Sequence, residues 1–330
     1  MDSTNANQWA VILAGGQGRR LRHLTIGPDG NSVPKQFCSL GRGNSLLHDA
    51  LQRARAIAPP ERILVSVTEG HRAWWRELTD CMPDGNIVVQ PEQRGTGIGM
   101  LHPLLEILRR DPLAAIAVLP SDHYFRSESA IAAGLRDAMN IARGSPSDVV
   151  LLGFQPADAD PDLGYVVPDE SSDSRLFHVR QFVEKPGAAL VQSLIDRGAL
   201  WNSFIVVARG SALLALFERR FPTAVALLRD YVERAADGAP HPALLAQTFR
   251  DLPPIDFSDD VLPLQHEWLR VLRLPACGWS DLGTPARLAS VVRRHRRSID
   301  QALPALQGMG GHIDLAERWA GTSTPVTAHP

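Results

Sequence analysis

Trp9-Ala10-Val11-Ile12-Leu13-Ala14 is an unbroken apolar run, and Gly15-Gly16-Gln17-Gly18-Arg19-Arg20-Leu21 follows it directly. Such a short apolar run, ended by glycines, reads as a strand buried from both sides of a sheet. Glycines let backbone N–H groups approach a ligand with no Cβ in the way, and arginines add forked, charge-assisted hydrogen bonds. Ligands of open α/β sheets bind at the carboxyl ends of strands, so the stretch predicts a polyanion there. Glycines after a strand also form purely structural turns, and that alternative stays open on this stretch alone. Two specific phosphate loops are excluded. There is no lysine for Gly-x-x-x-x-Gly-Lys-Ser/Thr, and Leu21 stands where the dinucleotide fingerprint needs its third glycine.

Outward from this strand, apolar runs alternate with segments of helical spacing. Leu46 to Ala58 reads as helix, Ile63 to Thr68 as strand, His71 to Thr79 as helix and Ile87 to Gln90 as strand. A helix opens near Thr96, the strand Ala115 to Leu119 follows, then a helix from about Ser129 and the strand Val149 to Phe154. This order predicts a Rossmann-like, doubly wound, mostly parallel sheet with both faces covered. Beyond Gly164 the strands Tyr165 to Val167, Leu176 to Glu184 and Ser203 to Ala208 are separated by one clear helix, about Ala188 to Arg197, which reads as a substrate-binding insertion on the same sheet. Helices at Ser211 to Phe221 and Thr223 to Ala236 precede a strand at Leu269 to Leu274. The expected organisation is one domain over 1–287, divided near residue 160 into a doubly wound half and a half that carries the insertion. A C-terminal extension over 288–330 begins with a basic helix bearing Arg293, Arg294, Arg296 and Arg297.

Composition narrows the partners. With 44% hydrophobic and 21% charged residues, the 330-residue chain has the usage of a folded globular protein. Thirty-four basic against thirty-six acidic residues give a net charge of -2, so no global field draws in nucleic acid or an anionic membrane, and a phosphate site must be local. Cys38, Cys81 and Cys277 are odd in number and far apart, which argues against a disulfide framework or zinc knuckle and for a reducing cytoplasm. No run approaches the roughly 18 apolar residues of a membrane span.

Two aspartates follow glycine- or proline-bearing turns. Pro120-Ser121-Asp122-His123 closes the strand Ala115 to Leu119, on the same sheet edge as the glycine loop, and Trp279-Ser280-Asp281-Leu282-Gly283 precedes the last helix. Magnesium takes one or two carboxylates together with substrate phosphates, whereas either aspartate could also cap a turn or helix. Lys35, in Val33-Pro34-Lys35-Gln36-Phe37, gains weight beside the glycine loop.

In this order the motifs resemble the mannose-1-phosphate guanylyltransferase branch of the sugar nucleotidyltransferases over roughly residues 9 to 287. To those already quoted, the resemblance adds Gln90-Pro91-Glu92-Gln93-Arg94-Gly95-Thr96, Val183-Glu184-Lys185-Pro186, Trp201-Asn202-Ser203 and Ile255-Asp256-Phe257-Ser258. It implies that Arg20 and Lys35 hold the triphosphate, that Leu13, Ala14, Gly15, Gly16 and Gly18 wrap the nucleotide, and that Gln90, Arg94, Gly95 and Thr96 lie beside the base. It further implies that Asp122 and Asp281 share Mg2+, that Gly164, Glu184 and Asn202 meet the hexose, and that Lys185 grips its phosphate. The implied substrates are GTP or another nucleoside triphosphate and a sugar 1-phosphate, mannose, glucose or heptose, in a cytoplasmic enzyme that forms a homodimer. A non-catalytic nucleotide-sugar sensor is the competing class. Three positions depart from the pattern: Arg19 replaces threonine, Gly97 replaces alanine, and Phe204 replaces glycine. A phosphate monoester is largely dianionic at neutral pH, so the implied displacement requires charge neutralisation rather than a general base, and His123 is assigned to orientation.

Overall fold

The structure, a computed structural model, describes residues 7–27, 30–41, 43–76, 78, 82–169, 175–235, 241–302, 313–315 and 318, with side chains in the last helix described to residue 294. Cys81, Thr79, Ala236 and most of the C-terminal tail, with the side chains of Arg296 and Arg297, lie outside the described residues.

The strands are β1 (Gln8–Leu13), β2 (Ile63–Thr68), β3 (Ile87–Gln90), β4 (Ala115–Pro120), β5 (Val149–Phe154), β6 (Tyr165–Pro168), β7 (Leu176–Val183), β8 (Leu200–Arg209) and β9 (Leu269–Leu274). The helices are α1 (Leu46–Ala54), α2 (Arg72–Trp75), α3 (Gly95–Arg110), α4 (Glu128–Gly144), α5 (Ala188–Asp196), α6 (Gly210–Arg220), α7 (Pro222–Ala235), α8 (Pro242–Asp251) and α9 (Pro285–Ala302). The helix expected over His71 to Thr79 is shorter, and α8 was not anticipated.

The strands form one sheet in the order β3-β2-β1-β4-β8-β5-β9-β7-β6. β1 to β4 pair in parallel, as the alternating pattern predicts. β5 and β9 also pair in parallel, so the expected Rossmann-like sheet is present, with antiparallel strands worked into its second half. β8 inserts antiparallel between β4 and β5, and β7 runs antiparallel to β9. These antiparallel neighbours are distant in sequence, β4 ending at Pro120 and β8 starting at Leu200, so long-range pairing and not a hairpin sets their direction. β6 pairs with both β7 and the start of β8, so β8, β5, β9, β7 and β6 form a closed circuit of pairings.

Both faces of the parallel half are covered. Along β1, Trp9 and Val11 join one core with α3, α6 and α7, whereas Ala10 and Ile12 join another with α1 and α4. This is why the strand reads as continuous rather than alternating hydrophobicity. Ser45 and Ser127 start α1 and α4 by accepting the N–H groups of His48 and Ala130. A third core lies under the glycine loop: Leu288, Val291 and Val292 of α9 pack with Leu21, Leu24, Leu40 and Tyr124. Ile313 and Leu315 join it, bridged to Ser39 by main-chain hydrogen bonds of 2.9 and 3.0 Å, while Asp314 accepts from Ser39 Oγ and Gly41 N. The described part of the extension is thus continuous with the catalytic core.

Candidate active site

The parallel strands end along one edge, where their following loops make a single pocket. It is lined by Leu13, Gly15, Gly16 and Arg20 from the first loop and by Gln90, Gly95 and Thr96 beyond β3. Asp122 and Asp281 lie on its wall, and Gly164, Glu184, Lys185 and Asn202 form its far end. Ala14, Gly18, Lys35 and Arg94 do not line it. Among residues not anticipated as ligands, Gln36, Gln93, Asp162, Phe204, Ser258 and Trp279 do. Most of these sit inside or beside the quoted motifs, where sequence cannot say which neighbour faces the cavity.

The glycine loop is held from behind. Gln36 Nε2 donates to Ala14 O at 2.8 Å and Gly16 O at 2.9 Å, and Ala14 is fully buried with its N–H on Ser66 O. Gly18 has φ 58°, and a Cβ there would lie 3.2 Å from Lys35 N. It shapes the turn rather than touching the cavity. Arg20 points across the mouth to Asp162 at 3.7 Å, a half-exposed pair worth little in itself.

Asp122 and Asp281 are brought together by their loops. Tyr124 and Ser280 exchange main-chain hydrogen bonds of 2.8 and 3.0 Å, which zips the loop after β4 to the loop after β9. Lys35, buried, staples the same two loops: its Nζ lies 2.9 Å from Asp122 Oδ2 and donates to Asp281 O at 2.5 Å and Leu282 O at 3.3 Å. Burial pushes the Asp122 carboxyl up, but Lys35 and His123 outweigh it, so the group sits below its ordinary value. Burial also takes His123 down to about 4, against the opposing pull of Asp122 and Asp281. Trp279 Nε1 donates to His123 Nδ1 at 3.1 Å, which suits a neutral imidazole, and Trp279 stacks on Phe154 at 5.5 Å.

Asp281 is also held by Arg287, whose Nε lies 2.9 Å from Asp281 Oδ1 without the alignment of a hydrogen bond, while Nη1 donates to Asp160 Oδ2 at 2.7 Å. α9 therefore fixes both an aspartate of the pocket wall and the loop that carries Asp162 and Gly164. The two pocket carboxylates are a hard, oxygen-only donor set of the kind magnesium accepts. Among the described residues no group of three or more His, Cys, Asp or Glu could hold a metal ion.

The far end is assembled by strand register. Tyr165 pairs with both Val183 and Trp201, so the residues adjoining them, Gly164, Glu184 and Asn202, converge. Asn202 N donates to Gly164 O at 2.8 Å. A Cβ on Gly164 would lie 2.5 Å from Glu184 Oε2, so the glycine makes room for the carboxylate. Burial raises the Glu184 carboxyl, with Lys185 Nζ at 2.8 Å opposing it. Lys185, which burial alone would lower, is raised by Glu184 and the more distant Asp259 and Asp256. Lys185, Phe204 and Leu282 all have positive φ, at 42°, 60° and 49°. Non-glycine residues in that region cluster at functional sites.

At the end of β3, Gln90 is buried; its Nε2 donates to Ser66 Oγ at 3.0 Å and its Oε1 has no partner. Thr96 Oγ1 accepts from Phe257 N at 2.8 Å, so its hydroxyl ties α3 to the 255–257 loop. A Cβ on Gly97 would lie 2.6 Å from Ile255 Cγ2. That contact accounts for glycine where the resemblance has alanine. Arg94 pairs with Glu92 at 2.6 Å, and its carbonyl accepts from Ile255 N.

Known proteins resemble this chain over most of its length. The xanthan biosynthesis protein XanB of Xanthomonas campestris pv. campestris is 30% identical over 289 residues, 85% of this chain and 58% of XanB. A putative mannose-1-phosphate guanylyltransferase of Vibrio cholerae is 25% identical over 289 residues, 85% of this chain and 59% of its own length. The chain therefore spans under three fifths of these curated relatives. Among solved structures, a Thermus thermophilus protein described as a mannose-1-phosphate geranyltransferase is 28% identical with a TM-score of 0.72, covering 86% of this chain and 79% of that one. A Helicobacter pylori mannose-6-phosphate isomerase structure, 18% identical with a TM-score of 0.63 over 83% of this chain and 99% of that one, speaks for the fold alone. The nucleotidyl transferase family profile matches residues 9–297, and the chain belongs to that family.

Proposed function

We infer that this protein transfers a nucleotidyl group from a nucleoside triphosphate to a sugar 1-phosphate, releasing pyrophosphate, with GTP and mannose 1-phosphate as the pair. The observation that carries the reaction class is one pocket that joins a glycine loop, a carboxylate pair and the Gly164, Glu184 and Asn202 cluster. The particular pair rests on the names of the relatives. A homodimeric, cytoplasmic enzyme completes the reading.

In this reading the glycine loop and Arg20 receive the triphosphate, Gln90 offers its unpaired Oε1 to the base, and Lys185 meets the sugar phosphate. Each cation within about 4 Å of a phosphate charge contributes about 4 kcal/mol at an effective dielectric near 20. Positioning and charge neutralisation are the main demands of in-line displacement at phosphorus. Asp122 and Asp281 would hold Mg2+, which when bound neutralises phosphate charge. Lys35 keeps the two aspartate loops in register. Phe204 N donates to Asn202 Oδ1 at 3.2 Å, leaving the Asn202 amide NH2 to donate to a sugar oxygen, while Glu184 accepts from a hydroxyl. His123, low in pKa and hydrogen-bonded to Trp279, orients the wall without moving a proton.

The test is pyrophosphate release from purified protein with magnesium, across four nucleoside triphosphates and several sugar 1-phosphates. Release confined to GTP with mannose 1-phosphate is expected, and another productive pair would keep the reaction and move the substrate. No release from any pair, with nucleotide sugar still bound, would overturn the reading in favour of a sensor.

A further inference from the structure

Phe204 presents a question that its backbone poses and its side chain answers. It lies where β8 bulges against β5: Leu151 pairs with Val206 but Gly153 with Asn202, so β8 carries extra residues between them. Bulges near active sites re-aim side chains. Phe204 adopts φ 60°, a conformation that glycine takes freely and phenylalanine only at a cost. The hydrogen bond its N–H donates to Asn202 Oδ1 would survive in glycine, so the backbone explains no aromatic group here. The ring has two roles. It packs edge-on to Phe257 at 6.3 Å, and it lines the pocket beside Asn202 and Glu184.

Resting on the sugar-1-phosphate reading, we propose that Phe204 is a specificity-determining residue, an aromatic wall that restricts the acceptor to compact hexose 1-phosphates. A sugar extended by an acetamido group or by a seventh carbon on the side facing Asn202 meets the ring. The wall is braced from behind by Phe257, itself fully buried, so it cannot swing away without disturbing the core. Asn202 and Glu184 select hydroxyl positions, and Phe204 sets how much may project beyond them. Pockets that discriminate by shape separate substrates differing by one carbon by roughly 10- to 200-fold, which sets the scale of the effect.

The test compares wild type with Phe204→Gly and Phe204→Ala on mannose 1-phosphate, glucose 1-phosphate, N-acetylglucosamine 1-phosphate and a heptose 1-phosphate, reading kcat/KM for each and Tm for each protein. Phe204→Gly removes the wall and relaxes the backbone, whereas Phe204→Ala removes the wall but keeps the left-handed strain. Both should raise the ratio of kcat/KM for an extended sugar to that for the preferred hexose at least tenfold, whatever their Tm values. A ratio that moves less than twofold in both folded variants would overturn the proposal and leave Phe204 as packing for Phe257. An equal preference of wild type for extended and compact sugars would overturn it as well. A wild type inactive on every pair is a separate failure, of the reaction itself, and the proposal falls with it.

Discussion

Replacing Lys35 by methionine should cost this protein both stability and turnover. The side chain keeps its reach as far as Cε, with sulfur in place of one methylene, and loses its ammonium, which in the folded state is 2.9 Å from Asp122 Oδ2 and donates to the carbonyls of Asp281 and Leu282. Breaking one partner of a buried ion pair costs about 3–5 kcal/mol. The Lys35 side chain is 6% exposed but that of Asp122 is 33% exposed, so water recovers part of the loss and about 2–3 kcal/mol is expected. Urea denaturation of wild type, Lys35→Met, Asp122→Asn and the double variant reads both the loss and the coupling energy, which should exceed about 1 kcal/mol for groups in direct contact. Turnover should fall together with stability, because the Asp122 and Asp281 loops lose their shared staple. A contrasting result is a raised KM for the nucleotide with stability within about 0.5 kcal/mol of wild type, the range of an ordinary surface change. That would refute the staple and return Lys35 to the triphosphate.

Two glycines should behave oppositely on substitution by alanine. In Gly164→Ala the new Cβ meets the flexible end of Glu184 at 2.5 Å, so the fold should hold while KM for the sugar phosphate rises about tenfold or more, the value of one charged hydrogen bond; an unchanged KM would count against Glu184 as a sugar ligand. In Gly95→Ala the Cβ runs into the Ile255 carbonyl oxygen with φ at 84°, and at least about 2 kcal/mol of stability should be lost, so wild-type stability there would show the contact to be misread. Asp122→Asn or Asp281→Asn should abolish turnover in a folded protein, and near-normal rates in either would remove that residue from the magnesium proposal. His102, buried between Tyr231 and Phe249 with Nδ1 unpartnered, is lowered from 6.5 to about 4 by burial. The unfolded chain therefore binds more protons between those values, and stability is complete above pH 6.5 and lost as pH falls toward 4. The loss between pH 7.5 and 5 should be about 2 kcal/mol for this group; equal urea-midpoint slopes against pH in wild type and His102→Leu would dismiss it.

Sequence alone determined the local features of this protein. Ile63–Thr68, Ile87–Gln90, Val149–Phe154 and Leu269–Leu274 were each legible to the residue, the first and third as short apolar runs buried on both faces and the other two as short β-branched or leucine-rich runs. The glycine loop was legible because it adjoins its strand; Gly15 and Gly16 line the pocket, whereas Ala14 and Gly18 do not. What depends on partners far along the chain was not legible. Nothing in Ser203 to Ala208 signals that β8 runs antiparallel through the middle of the sheet, or that Phe204 sits on a bulge, since pairing direction is chosen by strands far away in the chain. Asp122 and Asp281 read either as magnesium ligands or as caps of a turn or helix, and sequence could not show that the Tyr124–Ser280 bridge and Lys35 put them on one wall. Arg287 and Asp160 belong to none of the quoted motifs, yet Arg287 bridges Asp160 and Asp281 from far along the chain. Propensity and periodicity act over a few residues, whereas the site is a product of loop ends brought together by sheet order, and only the tertiary fold supplies that order.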